Sequence, residues 1–147
     1  MLLFDVNILV YAHRADAVAH ERYRDWLQAT LSESSSYGMA DLVLSGFLRV
    51  VTHPKVFREP SPLDKAMAFV QEIRARPNCV TIAPGERHWE VFSRLCFETG
   101  ARGNLLADAY LAALAIESGS EWITTDRDYA RFPNLRWRHP FVPGRSR

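Results

Sequence analysis

The stretch "MLLFDVNILVYAH", residues 1–13, combines a short strand, a polar strand end and the start of a helix. Residues Leu2–Phe4 form a continuous apolar run, which is typical of a strand that is buried on both faces. Asp5 and Asn7 follow it directly, and the chain becomes apolar again from Ile8. Open α/β sheets bind ligands at the carboxyl ends of their strands, but aspartate is also a common helix N-cap. This stretch alone therefore leaves Asp5 as either a helix cap or a ligand-binding residue.

The remainder of the chain alternates strand-like and helix-like segments, without an internal repeat or a low-complexity region. This order favours a single α/β domain over residues 1–147, with a three-layer α/β/α arrangement around a mostly parallel central sheet. Residues 133–147 are rich in Pro and Arg and are predicted to form a C-terminal tail on the surface. Further strands are predicted at 37–40, 79–82 and 122–125. Helices are predicted at 16–31 and 41–51, capped by Asp16 and Asp41, and at 62–76, 86–98 (with Trp89, Phe92 and Cys96 inward) and 105–118.

The composition excludes several classes of protein. Hydrophobic residues make up 48% of the chain and charged residues 24%, which are ordinary values for a globular domain. No apolar run approaches the length of a membrane span and no signal-peptide pattern is present, so we expect a cytoplasmic protein without membrane contact. Cys79 and Cys96 lack metal-binding spacing and are predicted to be reduced core residues, and the five histidines are predicted to be structural.

The helix predicted at 105–118 contains an unexpected charge. Residues 105–116 are apolar except for Asp108 and the hydroxyl of Tyr110, so this helix is predicted to be buried nearly all round. A carboxylate in such surroundings costs several kcal/mol unless it is compensated. The positive end of the helix dipole contributes only about 0.3–1 kcal/mol, or about 2 kcal/mol when partly buried. We therefore expect a cation beside Asp108, either an arginine side chain or a metal ion.

The strand predicted at 122–125 repeats the opening pattern. It ends in Asp126, and Asp128 follows two residues later. Because parallel strands end at the same edge of a sheet, Asp5 and Asp126 can converge there, and Asp108 can join them if its helix packs beside that edge. Oxygen ligands without His or Cys suit Mg²⁺ or Mn²⁺ rather than zinc. Taken alone, Asp126 and Asp128 also fit an ordinary turn after a strand.

Three acidic stretches together resemble the motifs of the PIN-domain ribonucleases. They are "LLFDVNILVYAHR" (2–14), "GNLLADAYLAALAIESG" (103–119) and "WITTDRDYARF" (122–132). The resemblance is strongest to the VapC-type toxins of bacterial type II toxin–antitoxin pairs, in the mycobacterial-like subgroup with a "FLRVVTHP" segment (47–54). It extends in order over about residues 1–140, almost the whole chain.

The resemblance implies an activity and a set of site residues. It implies a Mg²⁺-dependent endoribonuclease, with Mn²⁺ as an alternative ion, in which an activated water attacks the RNA phosphorus and leaves a 5′-phosphate and a 3′-hydroxyl. It also implies a cognate antitoxin as partner and a homodimer. Asp5, Asp108 and Asp126 would be the catalytic residues and metal ligands, with Asn7, Thr124 and Asp128 as supports.

The chain departs from the wider family at Gly46. Many PIN domains carry a glutamate at the position where "ADLVLSGFLRVVTHP" (40–54) has this glycine, and no other acid occurs between Leu42 and Phe57. The site is therefore predicted to be one carboxylate short. Asp128 could substitute for the missing acid, or the metal ion could keep an additional water.

Substrate contacts and alternative functions stay open at this point. Arg102, Arg127 and Arg131 flank the acidic stretches and are candidates for RNA phosphate contacts, although each is also an ordinary surface charge. One alternative is a catalytically weak or silent PIN domain that acts only as a binding partner. Another is a phosphatase of the haloacid-dehalogenase type, which also begins with a strand ending in Asp but wants a second Asp where this chain has Asn7.

Overall fold

A computed structural model describes residues 1–144 of the chain. Residues 145–147, which include Arg145 and Arg147 of the predicted tail, lie outside the described residues. The strands are β1 Leu2–Phe4, β2 Tyr37–Met39, β3 Cys79–Thr81, β4 Glu121–Ile123 and β5 Trp137–Arg138. The helices are α1 Val6–His13, α2 His20–Leu31, α3 Asp41–Val51, α4 Leu63–Arg74, α5 His88–Thr99 and α6 Asn104–Glu117, with a 3₁₀ helix at Arg127–Arg131.

The five strands form one sheet in the order β3-β2-β1-β4-β5, and every neighbouring pair is parallel. The predicted α/β fold with a mostly parallel sheet is confirmed. β1 lies at the centre and pairs with β4 in the register Leu2↔Glu121 to Phe4↔Ile123. The residues that follow these two strands are therefore neighbours at the carboxyl edge of the sheet.

The core lies between the sheet and the helices packed around it. α1 packs against both α2 and α3, and α5 packs against α6. In this core, the ring of Phe4 packs edge-to-face against the rings of Trp26 and Tyr37, at centroid distances of 6.0 and 6.2 Å. Such edge-to-face pairs add to the burial of aromatic area. Within residues 1–144, no helix is both long enough and apolar enough to cross a membrane.

The C-terminal segment does more than lie on the surface. Trp137 pairs with Trp122, so β5 extends the sheet beyond β4. Phe141 packs against Tyr23 of α2 with ring centroids 4.6 Å apart. The prediction of a surface tail from residue 133 is therefore wrong for β5, which is too short to produce a recognisable sequence pattern.

Two helix predictions also need correction. α2 begins at His20 and not near Asp16, because the carboxylate of Asp16 pairs with the Arg14 guanidinium at 2.7 Å instead of capping the helix. In α5 the inward face is formed by His88, Val91 and Leu95, so the prediction that Trp89 faces inward is wrong. The side chain of Trp89 is 70% exposed, because His88 takes the buried position and its Nε2 bonds the Tyr110 carbonyl of α6 at 3.0 Å.

Candidate functional site

Asp5 lies at the junction of β1 and α1 and is 7% exposed. Its backbone is extended, and its N–H donates to the Ile123 carbonyl of β4 at 2.9 Å. Its Oδ1 accepts from the Val6 N–H at 2.7 Å, and its Oδ2 accepts from the Thr124 hydroxyl at 2.7 Å. Asp5 therefore does cap α1, and the same carboxylate also belongs to a buried network at the carboxyl edge of the sheet.

Asp5 is held in surroundings that oppose its charge. The pKa of Asp5 is raised from 3.8 to about 6, and burial is the largest cause. The hydrogen bonds from Thr124 and Val6 counteract part of the rise, and the neighbouring carboxylates of Asp108 and Asp126 contribute to it. Like charges that share a site disfavour ionisation, so these three aspartates form one electrostatic cluster.

Thr124 links Asp5 to the segment after β4. Its side chain is fully buried, its hydroxyl donates to Asp5, and its Oγ1 accepts from the Asp126 N–H at 3.0 Å. The Oδ1 of Asp126 in turn accepts from the Asp128 N–H at 2.8 Å and caps the 3₁₀ helix. The turn predicted for Asp126 and Asp128 is therefore present, and it lies beside Asp5.

Asp108 reaches the same edge from the second turn of α6 and is half-buried. Burial raises its pKa, a hydrogen bond from Tyr129 lowers it, and the charges of Asp126 and Asp128 raise it again. The prediction that α6 is buried nearly all round is wrong for its first turns, where Leu106 is 40% exposed. Asp108 lies where this exposed part meets the buried segment Leu111–Ala115.

No cationic side chain among residues 1–144 compensates the cluster. Within residues 1–144, Asp5, Asp108 and Asp126 form no ion pair with Lys or Arg. An arginine partner for Asp108, one of the two expected alternatives, is therefore absent from the part of the chain that the structure describes. Asp128 is exposed and lies 4.0 Å from the Arg131 guanidinium, so it belongs to the rim of the cluster.

Tyr129 is a member of the site that the sequence analysis missed. Its ring is 2% exposed and its hydroxyl donates to the Asp108 Oδ1 at 3.3 Å. The 3₁₀ helix places this third residue after Asp126 back toward the cluster. From the sequence, an aromatic residue three positions after an acid at a strand end is interpreted as a core residue. The hydroxyl is the one feature that distinguishes Tyr129 from an ordinary core phenylalanine.

The donor set suits a hard divalent cation in chemical type and in charge. Its three carboxylates supply oxygen ligands, and their negative charge lacks a counterion among the described residues. As they stand, no three His, Cys, Asp or Glu side chains of residues 1–144 are arranged to hold a metal ion. A bound ion would therefore have to draw the aspartates closer together.

Comparison with known proteins identifies the family. Residues 2–135 match the PIN domain. The chain belongs to the PIN-domain family. Ribonuclease VapC43 of Mycobacterium tuberculosis is 47% identical over 140 residues, which cover 95% of both chains. Ribonuclease VapC25 of the same organism is 39% identical over 95% of this chain and 99% of the relative. The resemblance to VapC-type PIN domains is confirmed, and the haloacid-dehalogenase alternative is excluded.

Solved structures show the same PIN fold at much lower sequence identity. VapBC2 from Rickettsia felis, bound to a DNA fragment from its promoter, gives a TM-score of 0.68 at 17% identity over 94% of this chain and 97% of that chain. Mycobacterium tuberculosis VapC20, a Sarcin-Ricin loop cleaving toxin, gives 0.66 at 15% identity over 92% and 99%. These likenesses concern the fold alone.

The remaining predicted site residues are Asn7, Gly46 and three arginines. Asn7 is exposed in the first turn of α1. Gly46 lies on α3, and a Cβ added to it would stand 3.1 Å from Cγ2 of Val6, the residue after Asp5. The predicted RNA contacts, Arg102, Arg127 and Arg131, are all exposed.

Proposed function

We propose that this PIN domain is a Mg²⁺-dependent endoribonuclease, the toxin of a type II toxin–antitoxin pair. The observation that carries the proposal is the uncompensated cluster of Asp5, Asp108 and Asp126 at the carboxyl edge of the sheet. Isolated buried carboxylates destabilise a fold, so their presence together favours a functional cation. Relatives at 47% and 39% identity are named ribonucleases, which supports RNA as the substrate class.

Asp5, Asp108 and Asp126 would hold Mg²⁺, or Mn²⁺ in its place. The bound ion would supply an activated water and neutralise the charge that grows on the phosphodiester. Thr124 keeps the Asp5 carboxylate oriented through its 2.7 Å hydrogen bond, and the backbone bond from Asp5 to Ile123 anchors that residue to the sheet. Asn7 and Asp128 would orient water or the scissile phosphate, and the Asp128 N–H donates to Asp126 Oδ1.

The reaction is hydrolysis of the bond between phosphorus and the 3′ oxygen. The water oxygen bonds to phosphorus, the 3′ oxygen leaves with a proton, and the products are a 5′-phosphate and a 3′-hydroxyl. The exposed guanidinium groups of Arg102, Arg127 and Arg131 are the candidates that bind neighbouring RNA phosphates.

The proposed partners are a cognate antitoxin and a second copy of the chain, acting in the cytoplasm. Support for the antitoxin comes from the VapC names of the relatives and from the VapBC2 structure with the same fold.

The direct test is cleavage of a structured RNA with Mg²⁺ and with EDTA. Cleavage should require the ion, and Asp5→Asn should lower the rate by more than about 100-fold, which exceeds the effect of losing a group that only orients a ligand. Asp64→Asn, which removes an exposed carboxylate from the first turn of α4, is the matched control and should cleave like the wild type. Cleavage that survives EDTA would contradict the metal mechanism, and Mg²⁺ binding without any cleavage would favour the silent PIN domain.

A further inference from the structure

Tyr129 is a buried tyrosine whose hydroxyl faces acidic groups. Its ring packs against Trp122 and Phe132, with centroid distances of 5.4 and 5.8 Å. Packing of this kind requires only the ring, and a phenylalanine would supply it equally well. The hydroxyl therefore needs a separate explanation.

The hydroxyl provides a hydrogen-bond donor to a carboxylate that is otherwise poorly supported. It donates to Asp108 Oδ1 at 3.3 Å, and the Asp108 side chain accepts no other hydrogen bond from the described residues. Asp5, by contrast, accepts from both Val6 and Thr124. A charged carboxylate accepts hydrogen bonds and cannot donate them, so a donor at this place fixes its orientation.

The phenol remains a donor at any pH at which the domain functions. Burial raises its pKa well above the usual range, and the charges of Asp5, Asp108 and Asp126 raise it further. The Tyr129 N–H also donates to the Asp126 carbonyl at 3.4 Å, so this residue bonds two members of the cluster. A neutral donor in this position supports a carboxylate without bringing the positive charge that would compete with a metal ion.

We propose that Tyr129 is a positioning residue of the acidic site, which holds the Asp108 carboxylate oriented toward the cluster so that it can bind a divalent cation. The inference rests on the proposed function and adds to it a residue that acts through Asp108. Groups that orient metal ligands commonly contribute 10- to 100-fold to metal affinity. Tyr129 has this relation to Asp108, as Thr124 has to Asp5.

The test compares Tyr129→Phe with Tyr37→Phe in the full-length protein. Tyr37 is also 2% exposed, and its hydroxyl donates to the Ile73 carbonyl at 2.6 Å, away from the acidic site. Both variants lose one buried tyrosine hydroxyl, so Tyr37→Phe controls for the general effect of that loss on the fold. Mn²⁺ binding is measured by calorimetry, with circular dichroism as the folding control.

Tyr129→Phe should bind Mn²⁺ roughly 10- to 100-fold more weakly than the wild type. Tyr37→Phe should match the wild type. Equal affinity in wild type and a folded Tyr129→Phe would overturn the role of Tyr129 while leaving the proposed function intact. A wild-type protein that binds no Mn²⁺ would overturn the proposed function and, with it, this role.

A second measurement does not depend on the folding of a variant. In the wild type, the Tyr129 hydroxyl proton should give a slowly exchanging NMR resonance, because it is buried and hydrogen-bonded. Its chemical shift should move when Mg²⁺ is added, since Asp108 would then bind the ion. A resonance that stays unchanged at saturating Mg²⁺ would separate Tyr129 from the metal site and overturn the proposal.

Discussion

The two ends of α1 carry opposite charges in similarly buried places, but only one of the charges is paired among residues 1–144. At the carboxyl end, the Arg14 side chain is 11% exposed. It bonds both carboxylate oxygens of Asp16 at 2.9 and 2.7 Å, bonds the Glu59 carbonyl at 2.8 Å, and lies 4.0 Å over the ring of Phe57. At the amino end, Asp5 is 7% exposed, and its donors among the described residues are neutral, with two other aspartates as neighbours.

The difference shows what each end of the helix is for. Both charges suit the helix dipole, since Asp5 lies at its positive end and Arg14 at its negative end. At Arg14 the chain has placed every partner that a buried guanidinium needs, so its role is structural. At Asp5 the hydrogen-bond donors are neutral and do not neutralise the carboxylate. The remaining negative charge costs stability but is available to bind a cation.

The largest expected effect comes from Asp5 and is a pH dependence of the free energy of unfolding. Because the pKa of Asp5 is raised in the folded state, its contribution is fully present below pH 3.8 and is lost as the pH rises through about 6. In EDTA, the free energy of unfolding should therefore fall by up to about 3 kcal/mol across this window. Asp5→Asn should flatten the fall and be about 1–3 kcal/mol more stable at pH 7, since asparagine keeps the cap.

Urea denaturation at several pH values measures this effect, with Asp64→Asn as the control for a lost surface carboxylate. The two curves, wild type and Asp5→Asn, should meet near pH 4. An Asp5→Asn variant that is unfolded or less stable at pH 7 would mean that Asp5 serves mainly as the cap of α1.

The paired end should respond in the opposite direction. Arg14→Ala removes the bonds to Asp16, Glu59 and Ser61 and the contact with Phe57, so it should destabilise the domain by about 2 kcal/mol. It should leave Mg²⁺-dependent cleavage of the remaining folded protein unchanged. Arg24→Ala, which breaks a surface pair with Asp25, is the matched control and should cost under about 0.5 kcal/mol. Equal losses in the two variants would contradict the structural role of Arg14.

The sequence predicted the unpaired end better than the rest of the site. Parallel strands that end in Asp5 and Asp126 must bring these residues to one edge, so their proximity followed from the order of elements. Tyr129 could not be predicted, because its return to the cluster depends on the 3₁₀ helix and its ring alone reads as core. The predicted inward position of Trp89 was wrong because His88 occupies the buried position instead. Strand β5 was not predicted because two residues are too few to show a periodicity.

The smallest effect is expected at Gly46, where a carboxylate can be added to the unpaired end. Gly46→Glu should bind Mg²⁺ several-fold more tightly than Gly46→Ala, because it adds an oxygen ligand and a negative charge on the α3 face beside Val6. Both variants place a Cβ 3.1 Å from Cγ2 of Val6, so that the comparison isolates the carboxylate from the close contact. Calorimetry gives the affinities and thermal melts check the fold. Equal affinities in two folded variants would show that α3 does not contribute to the cation site.

Calorimetric titration of Mg²⁺ and Mn²⁺ into wild type, Asp5→Asn and Asp64→Asn tests the central claim most directly. The account predicts that the wild type and Asp64→Asn bind the ions alike and are stabilised by them in thermal melts. It predicts that a folded Asp5→Asn binds much more weakly and gains little stability. A wild-type protein whose heat signal and melting temperature ignore millimolar Mg²⁺ and Mn²⁺ would contradict the claim that the uncompensated aspartates exist to bind a cation.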